Sequence, residues 1–140
     1  MMDDPKLKKA LKHLEVQFFN HQRALQRSEL SELDREAIAE SVIQRFEISY
    51  DTLWKSLRRH LIDVLGLPEV PGSPKPILKL AGQQGLLPSP VEQWLKYAEA
   101  RIGTTHDCSG EKAVEALSLA GAFIADAIDL YHTLTGNSWQ

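Results

Sequence analysis

Arg101 and His106 stand with four residues between them in the segment Arg101-Ile-Gly-Thr-Thr-His106. The Arg guanidinium carries a permanent charge and a flat fork of donors that matches phosphate oxygens. The imidazole gives and takes protons near neutral pH. Together they are suited to hold a phosphodiester and move its protons without a metal ion. His106 would serve as general base or acid, and Arg101 would hold the developing charge. The same side chains can also do no more than cap a helix end or pair with a carboxylate.

Geometry limits the pair. Five residues turn an ideal helix by about 500°, which leaves the two side chains about 140° apart. They converge only if the helix ends between them, and Gly103 is the expected stop. One pair supplies few groups for the reaction, whereas a two-fold dimer would bring two pairs to one cleft. Asp107 could orient the imidazole, though an Asp before Ser-Gly more commonly serves the turn and the next helix start.

Arg45, Lys55, Arg58 and Arg59 form a basic set upstream, with Arg45, Lys55 and Arg59 on roughly adjacent helix faces. They could contact phosphate or an acidic partner. A solvated face beside Glu47 and Asp51 is the commoner meaning of such a set. Trp54 and Trp94 could stack on bases, but core or dimer-interface packing is favoured. His13, His21, His60 and His132 lack ligand spacing, so no metal site is expected. Gly82, Gly85 and Gly103 follow no strand and precede no Walker-type lysine, so no phosphate-cradling loop and no cofactor is expected. Cys108 reads as a small loop residue rather than a nucleophile.

Five helices must position these residues, and no strand is apparent. The first covers about residues 4–29, with Leu7, Leu11, Leu14, Phe18, His21 and Leu25 on one stripe. Asp34 is the expected cap of a second, about 35–65, which carries Ile38, Val42, Phe46, Tyr50, Leu53, Leu57 and Leu61. Gly66 stops it, and Pro68, Pro71 and Pro74 keep the following loop extended. A short third helix, about 74–83, starts at Ser73-Pro74. Ser89-Pro90 reads as cap and first turn of a fourth, about 90–103. The fifth, about 110–135, is apolar on most of its surface and should be central; Gly136 ends it. Short links favour antiparallel neighbours, hence an all-α, up-and-down bundle of four to five helices.

The chain of 140 residues fits one domain, residues 1–140. A net charge of −3 argues against broad electrostatic capture of nucleic acid, so any RNA contact would be local. The single cysteine excludes an intramolecular disulfide and a Cys-rich zinc site. Neither a signal peptide nor a run of roughly 20 apolar residues is present, so a cytoplasmic protein away from the membrane is expected.

The segment Ser-Val-Ile-Gln-Arg-Phe-Glu-Ile-Ser-Tyr-Asp-Thr-Leu-Trp-Lys, residues 41–55, resembles the second helix of the nucleotidyltransferase substrate-binding proteins. These belong to the HEPN superfamily, which includes toxins paired with a minimal nucleotidyltransferase antitoxin. The Pro-rich loop, the short helix ending in Gly-Leu-Leu, and Trp94 before Arg101 keep the family's order, over about residues 7–135. The resemblance implies a HEPN-like bundle that forms a homodimer and binds a minimal nucleotidyltransferase. It implies a toxin-like role in a toxin–antitoxin pair, with metal-independent RNA cleavage by Arg101 and His106. The alternative is a non-catalytic subunit that presents a substrate to the nucleotidyltransferase or only assembles with it. Two positions depart from the family. Ile102 stands where a polar residue, often Asn, usually follows the Arg. Cys108 stands where the toxins carry a Tyr that the antitoxin adenylylates, so control by that modification is excluded here.

Overall fold

A computed structural model describes residues 3–107 and 110–140. The described residues form five helices and no strand. Helix α1 runs Pro5–Ala24, α2 Glu32–Asp63, α3 Pro74–Gln83, α4 Val91–His106 and α5 Glu111–Thr135.

Local chemistry sets the ends. Asp4 caps α1 by accepting the Leu7 N–H at 3.1 Å, with Pro5 in the first turn. Arg59 of α2 holds the other Asp4 oxygen at 3.0 Å, tying the start of α1 to the end of α2. Helix α1 stops at Ala24, earlier than its apolar stripe suggests, and Leu25 is exposed. Two tight turns follow, with Gln26 N–H on the Arg23 carbonyl and Arg27 N–H on that of Ala24. Arg35 crosses from α2 to donate to the carbonyls of Ala24 and Arg27, meeting acceptors a longer helix would have used. The cap of α2 is Ser31 rather than Asp34. The two make a reciprocal capping box, Asp34 N–H on Ser31 Oγ at 3.0 Å and Ser31 N–H on Asp34 Oδ2 at 3.2 Å. Ser89 likewise does not cap α4, because its hydroxyl donates to Asp126 of α5 at 3.0 Å. Gly136 ends α5 in the left-handed conformation, φ 74°.

The four long helices alternate up and down. Ser49 Oγ donates to the Ala10 carbonyl at 3.1 Å, fixing α1 against α2. Helices α2 and α5 share the centre: α5 packs on α1, α2 and α4, and α2 packs on all four others. Centrality is therefore not the property of α5 alone, and Val114 near its start faces solvent. Phe46, Trp94, Tyr97 and Phe123 pack edge to face, with Phe46–Phe123 centroids at 5.0 Å, Tyr97–Phe123 at 5.2 Å and Trp94–Tyr97 at 5.3 Å. Each such pair contributes roughly 0.5–1.5 kcal/mol beyond its buried area. This cluster locks α2, α4 and α5 together one residue from Glu47 and one turn from Arg101. Ile77, Leu78 and Ala81 bury α3 against α2 and α4, with its first turn beside Arg101.

Candidate functional site

The aromatic cluster sets α4 beside α2, and Arg101 reaches across the seam. Its Nε and Nη2 donate to the two carboxylate oxygens of Asp51 at 3.2 and 3.1 Å. Its Nη1 donates to Glu47 Oε2 at 3.1 Å and to Thr105 Oγ1 at 2.7 Å. Thr104 Oγ1 donates to the same Glu47 oxygen at 2.8 Å. A guanidinium has five N–H donors. Four are engaged, so among the described residues one N–H, on Nη2, is left over. Hydrogen bonds to Asp51, with the charges of Asp51 and Glu47, push the Arg101 pKa up and fix its charge. Two carboxylates face that one cation, so the bare cluster carries net −1. Burial, with the adjacent Asp51 charge, pushes the Tyr50 pKa up as well, so this hydroxyl stays protonated.

Helix α4 does not stop at Gly103. It continues to His106, and Asp107 N–H bonds the Gly103 carbonyl at 2.9 Å. Gly103 answers a close approach instead: a Cβ there would meet the Lys112 side chain of α5 at 3.2 Å. The expected convergence of Arg101 and His106 is therefore not formed within one chain. They lie about 140° apart and about 7.5 Å along the axis. Arg101 turns toward α2, whereas His106 is exposed with no side-chain partner among the described residues. Ala98, Arg101, Ile102 and Thr105 line one side of a cleft of about 460 Å³, closed by Tyr50, Asp51 and the start of α3. His106 stands on the shoulder of that face, one turn beyond Ile102.

Asp107 serves the turn. Its Oδ1 accepts the Gly110 N–H at 2.7 Å and its Oδ2 the Lys112 N–H at 3.2 Å, which covers the start of α5. The basic set on α2 does not gather at Arg101. Arg59 is engaged by Asp4, Arg58 donates to the Pro71 carbonyl at 2.9 Å, and Lys55 lies over the Trp54 ring at 5.9 Å. Arg45 points about 160° around α2 from Glu47. Trp94 is fully buried in the core. Cys108 lies outside the described residues. No three of the described His, Cys, Asp and Glu residues are placed to hold a metal ion. No described helix is long and apolar enough to cross a membrane.

Glu47 and Asp51, the residues that fix Arg101, were legible only as acidic neighbours of a basic set. A sharper signal exists in the chain. They are four apart, and they flank the buried Phe46 and Tyr50. An acid pair on the margin of a buried face calls for a cation from the next helix.

Residues 5–136 match the family described as nucleotidyltransferase substrate binding protein like. The chain belongs to that family. Membership supports a nucleotidyltransferase as the partner of this chain. A protein of Thermus thermophilus known from its crystal structure has a similar fold, with a TM-score of 0.73 and 24% identity over 91% of this chain and 98% of that one. No curated protein matches. The all-helical bundle expected from the sequence is thus shared with a solved structure.

Proposed function

We propose that this chain is the HEPN-type, toxin-like component of a nucleotidyltransferase pair in the cytoplasm, and that two copies cut RNA without a metal ion. The carrying observation is the end of α4, where Arg101 sits in the seam with α2 and His106, five residues on, is exposed. Arg101 is held by Asp51 and Glu47 with, among the described residues, one N–H unspent. Among the described residues no side chain engages the exposed His106 ring, which suits it to proton transfer. Because the two diverge on one helix, a two-fold homodimer is the means by which Arg101 of one copy meets His106 of the other. Each active cleft then takes its charge-holding group and its acid or base from different chains.

A second reading has its own observation. Asp51 and Glu47 already balance the charge of Arg101, and Ile102 offers no hydrogen bond beside it. Both features suit a non-catalytic subunit that binds the nucleotidyltransferase and leaves the chemistry to it. The deciding experiment is cleavage of a labelled single-stranded RNA in EDTA by the purified protein and by His106→Ala. Cyclic-phosphate ends made by the wild type and not by the variant support the nuclease. No cleavage by either, across several RNAs and protein concentrations that span dimerisation, leaves the binding subunit.

A further inference from the structure

We infer that this chain associates head to tail with further copies of itself, the outer face of α1 on one copy seating in the groove between the first turns of α2 and α5 on the next. The contact is separate from the two-fold pairing proposed above and does not depend on it. Helix α1 carries two rows. Leu7, Leu11 and Leu14 are turned into the core. Lys12, Val16, Phe19 and Arg23, at steps of four, three and four, make a second row about 140–200° around the helix from Leu14. Val16 and Phe19 adjoin on it with 59% and 58% of their surfaces in solvent. Two adjoining apolar side chains framed by cations mark an interaction surface, where a single one would need no explanation. Arg23 meets only the neutral amide of Asn20, at 2.8 Å, among the described residues.

The groove has the opposite charge. Its hollow is about 200 Å³, floored by Ile43 and Ala113, both buried, and walled by Ala39 and Leu117. Val114, 65% exposed, forms its lip. Glu36 and Glu40 stand along its edge, exposed, and neither has an ion pair among the described residues. Val16 to Arg23 is a step of seven residues, and so is Ile43 to Glu36, about 10.5 Å each. Laid antiparallel to α2, the α1 row sets Val16 against Ile43, Phe19 against Ala39 and Val114, and Arg23 beside Glu36 and Glu40. Symmetric pairings of these surfaces are disfavoured. Two α1 faces paired antiparallel with Val16 on Phe19 set Lys12 against Arg23, and two grooves face to face set glutamates against glutamates. The α1 row points away from its own core, so a chain does not reach its own groove. Face into groove is a heterologous contact. Each copy keeps one free face or groove, and assembly passes beyond two copies.

The test is analytical ultracentrifugation of the full chain from about 10 μM to about 1 mM, the weak range expected of a small interface. The mass should climb past that of two copies as concentration rises, and the climb should weaken in 1 M salt, where the Debye length is about 3 Å. Phe19→Glu turns an acid toward the acidic edge, and Val114→Lys turns a cation toward Arg23. Both positions are exposed, so both variants should keep the wild-type circular dichroism. Each should weaken the association by about tenfold or more. Mixing the two variants should restore a contact, because the first retains an intact groove and the second an intact α1 face. A two-fold pair alone stops at two copies and is thereby told apart. Wild-type mass that never passes two copies overturns the proposal. So does loss of association in only one of the two variants, which is the mark of a symmetric contact, or a mixture that associates no better than its parts.

Discussion

Asp51→Asn isolates the interaction that fixes the site. The substitution keeps the shape of the side chain and removes its charge. An Asn can still accept one Arg101 N–H, but its amide nitrogen then faces a second donor, so the bidentate contact is lost. A charge-assisted hydrogen bond contributes roughly 1.5–3 kcal/mol when buried. Here the Asp51 and Arg101 side chains keep 40% and 25% of their exposure, so solvent screens part of it. About 1–1.5 kcal/mol remains. Unfolding entropy of about 2.1 cal/mol/K per residue gives ~0.3 kcal/mol/K for a chain of 140 residues. The melting temperature should therefore fall by about 3–5 °C, followed by circular dichroism in low salt. The difference should narrow in 1 M salt, where the Debye length is about 3 Å. Arg101→Met and the double variant complete a cycle, with a coupling of about 1 kcal/mol expected between the two positions. Strict additivity of the single changes would refute the claim that Asp51 acts on the fold through Arg101.

Asp126→Ala removes the acceptor of both Tyr97, at 2.5 Å, and Ser89, at 3.0 Å; it leaves the buried Tyr97 O–H without its acceptor, with only the Gln93 contact remaining, and should cost about 1–2 kcal/mol in urea unfolding, whereas a cost below about 0.5 kcal/mol would count the pair as ornamental. His60 is buried, and burial lowers its pKa below the ordinary 6.5, so the unfolded chain takes up a proton that the folded chain refuses. Its contribution is present above pH 6.5 and lost as pH falls toward the folded value, and His60→Gln should flatten the stability–pH curve between about pH 7 and 5. Trp139→Ala deletes the hydrogen bond to Glu15, the Lys12 contact at 4.1 Å and the Tyr131 ring contact at 5.6 Å that hold the C-terminal segment on α1 and α5. It should lower stability by about 1–2 kcal/mol and free the last residues to fast amide exchange.

The fold was open to reading because apolar spacing is a local property. Five helices, the Gly136 stop and the loop prolines follow from residues three to seven positions apart. Boundaries went astray where a distant group took over. Arg35 ends α1 from eleven residues away. Ser89 leaves its capping role for Asp126, thirty-seven residues on. Gly103 carries the same lesson, since it lies inside α4 beside the Lys112 side chain and stops nothing. At the site, residue types pointed to Arg101, and one of the bland alternatives, pairing with a carboxylate, is what the fold displays. Which carboxylates, and how many donors remain, depends on the placing of α4 against α2 by four buried rings. No spacing in α4 alone carries that information.

An unbroken α4 changes what the Arg–His spacing can mean. Had the helix ended at Gly103, the two side chains could have met on one phosphate, and a single chain would have held the whole reaction. With the helix intact, Arg101 points into the seam with α2 and His106 to solvent on the far shoulder. In the dimer proposed above, a second copy related by a two-fold axis would present the same end of α4 in reverse and bring Arg101 of each chain opposite His106 of the other. Catalysis would then require association, and its rate should rise with protein concentration more steeply than first order below the dimer dissociation constant. Mixing Arg101→Gln with His106→Ala sharpens the point, because one cleft of each mixed dimer contains both intact groups. Activity regained on mixing two inactive variants would require the composite site; its absence, with mixed dimers shown to form, would return Arg101 to the purely structural role that Asp51 and Glu47 already give it.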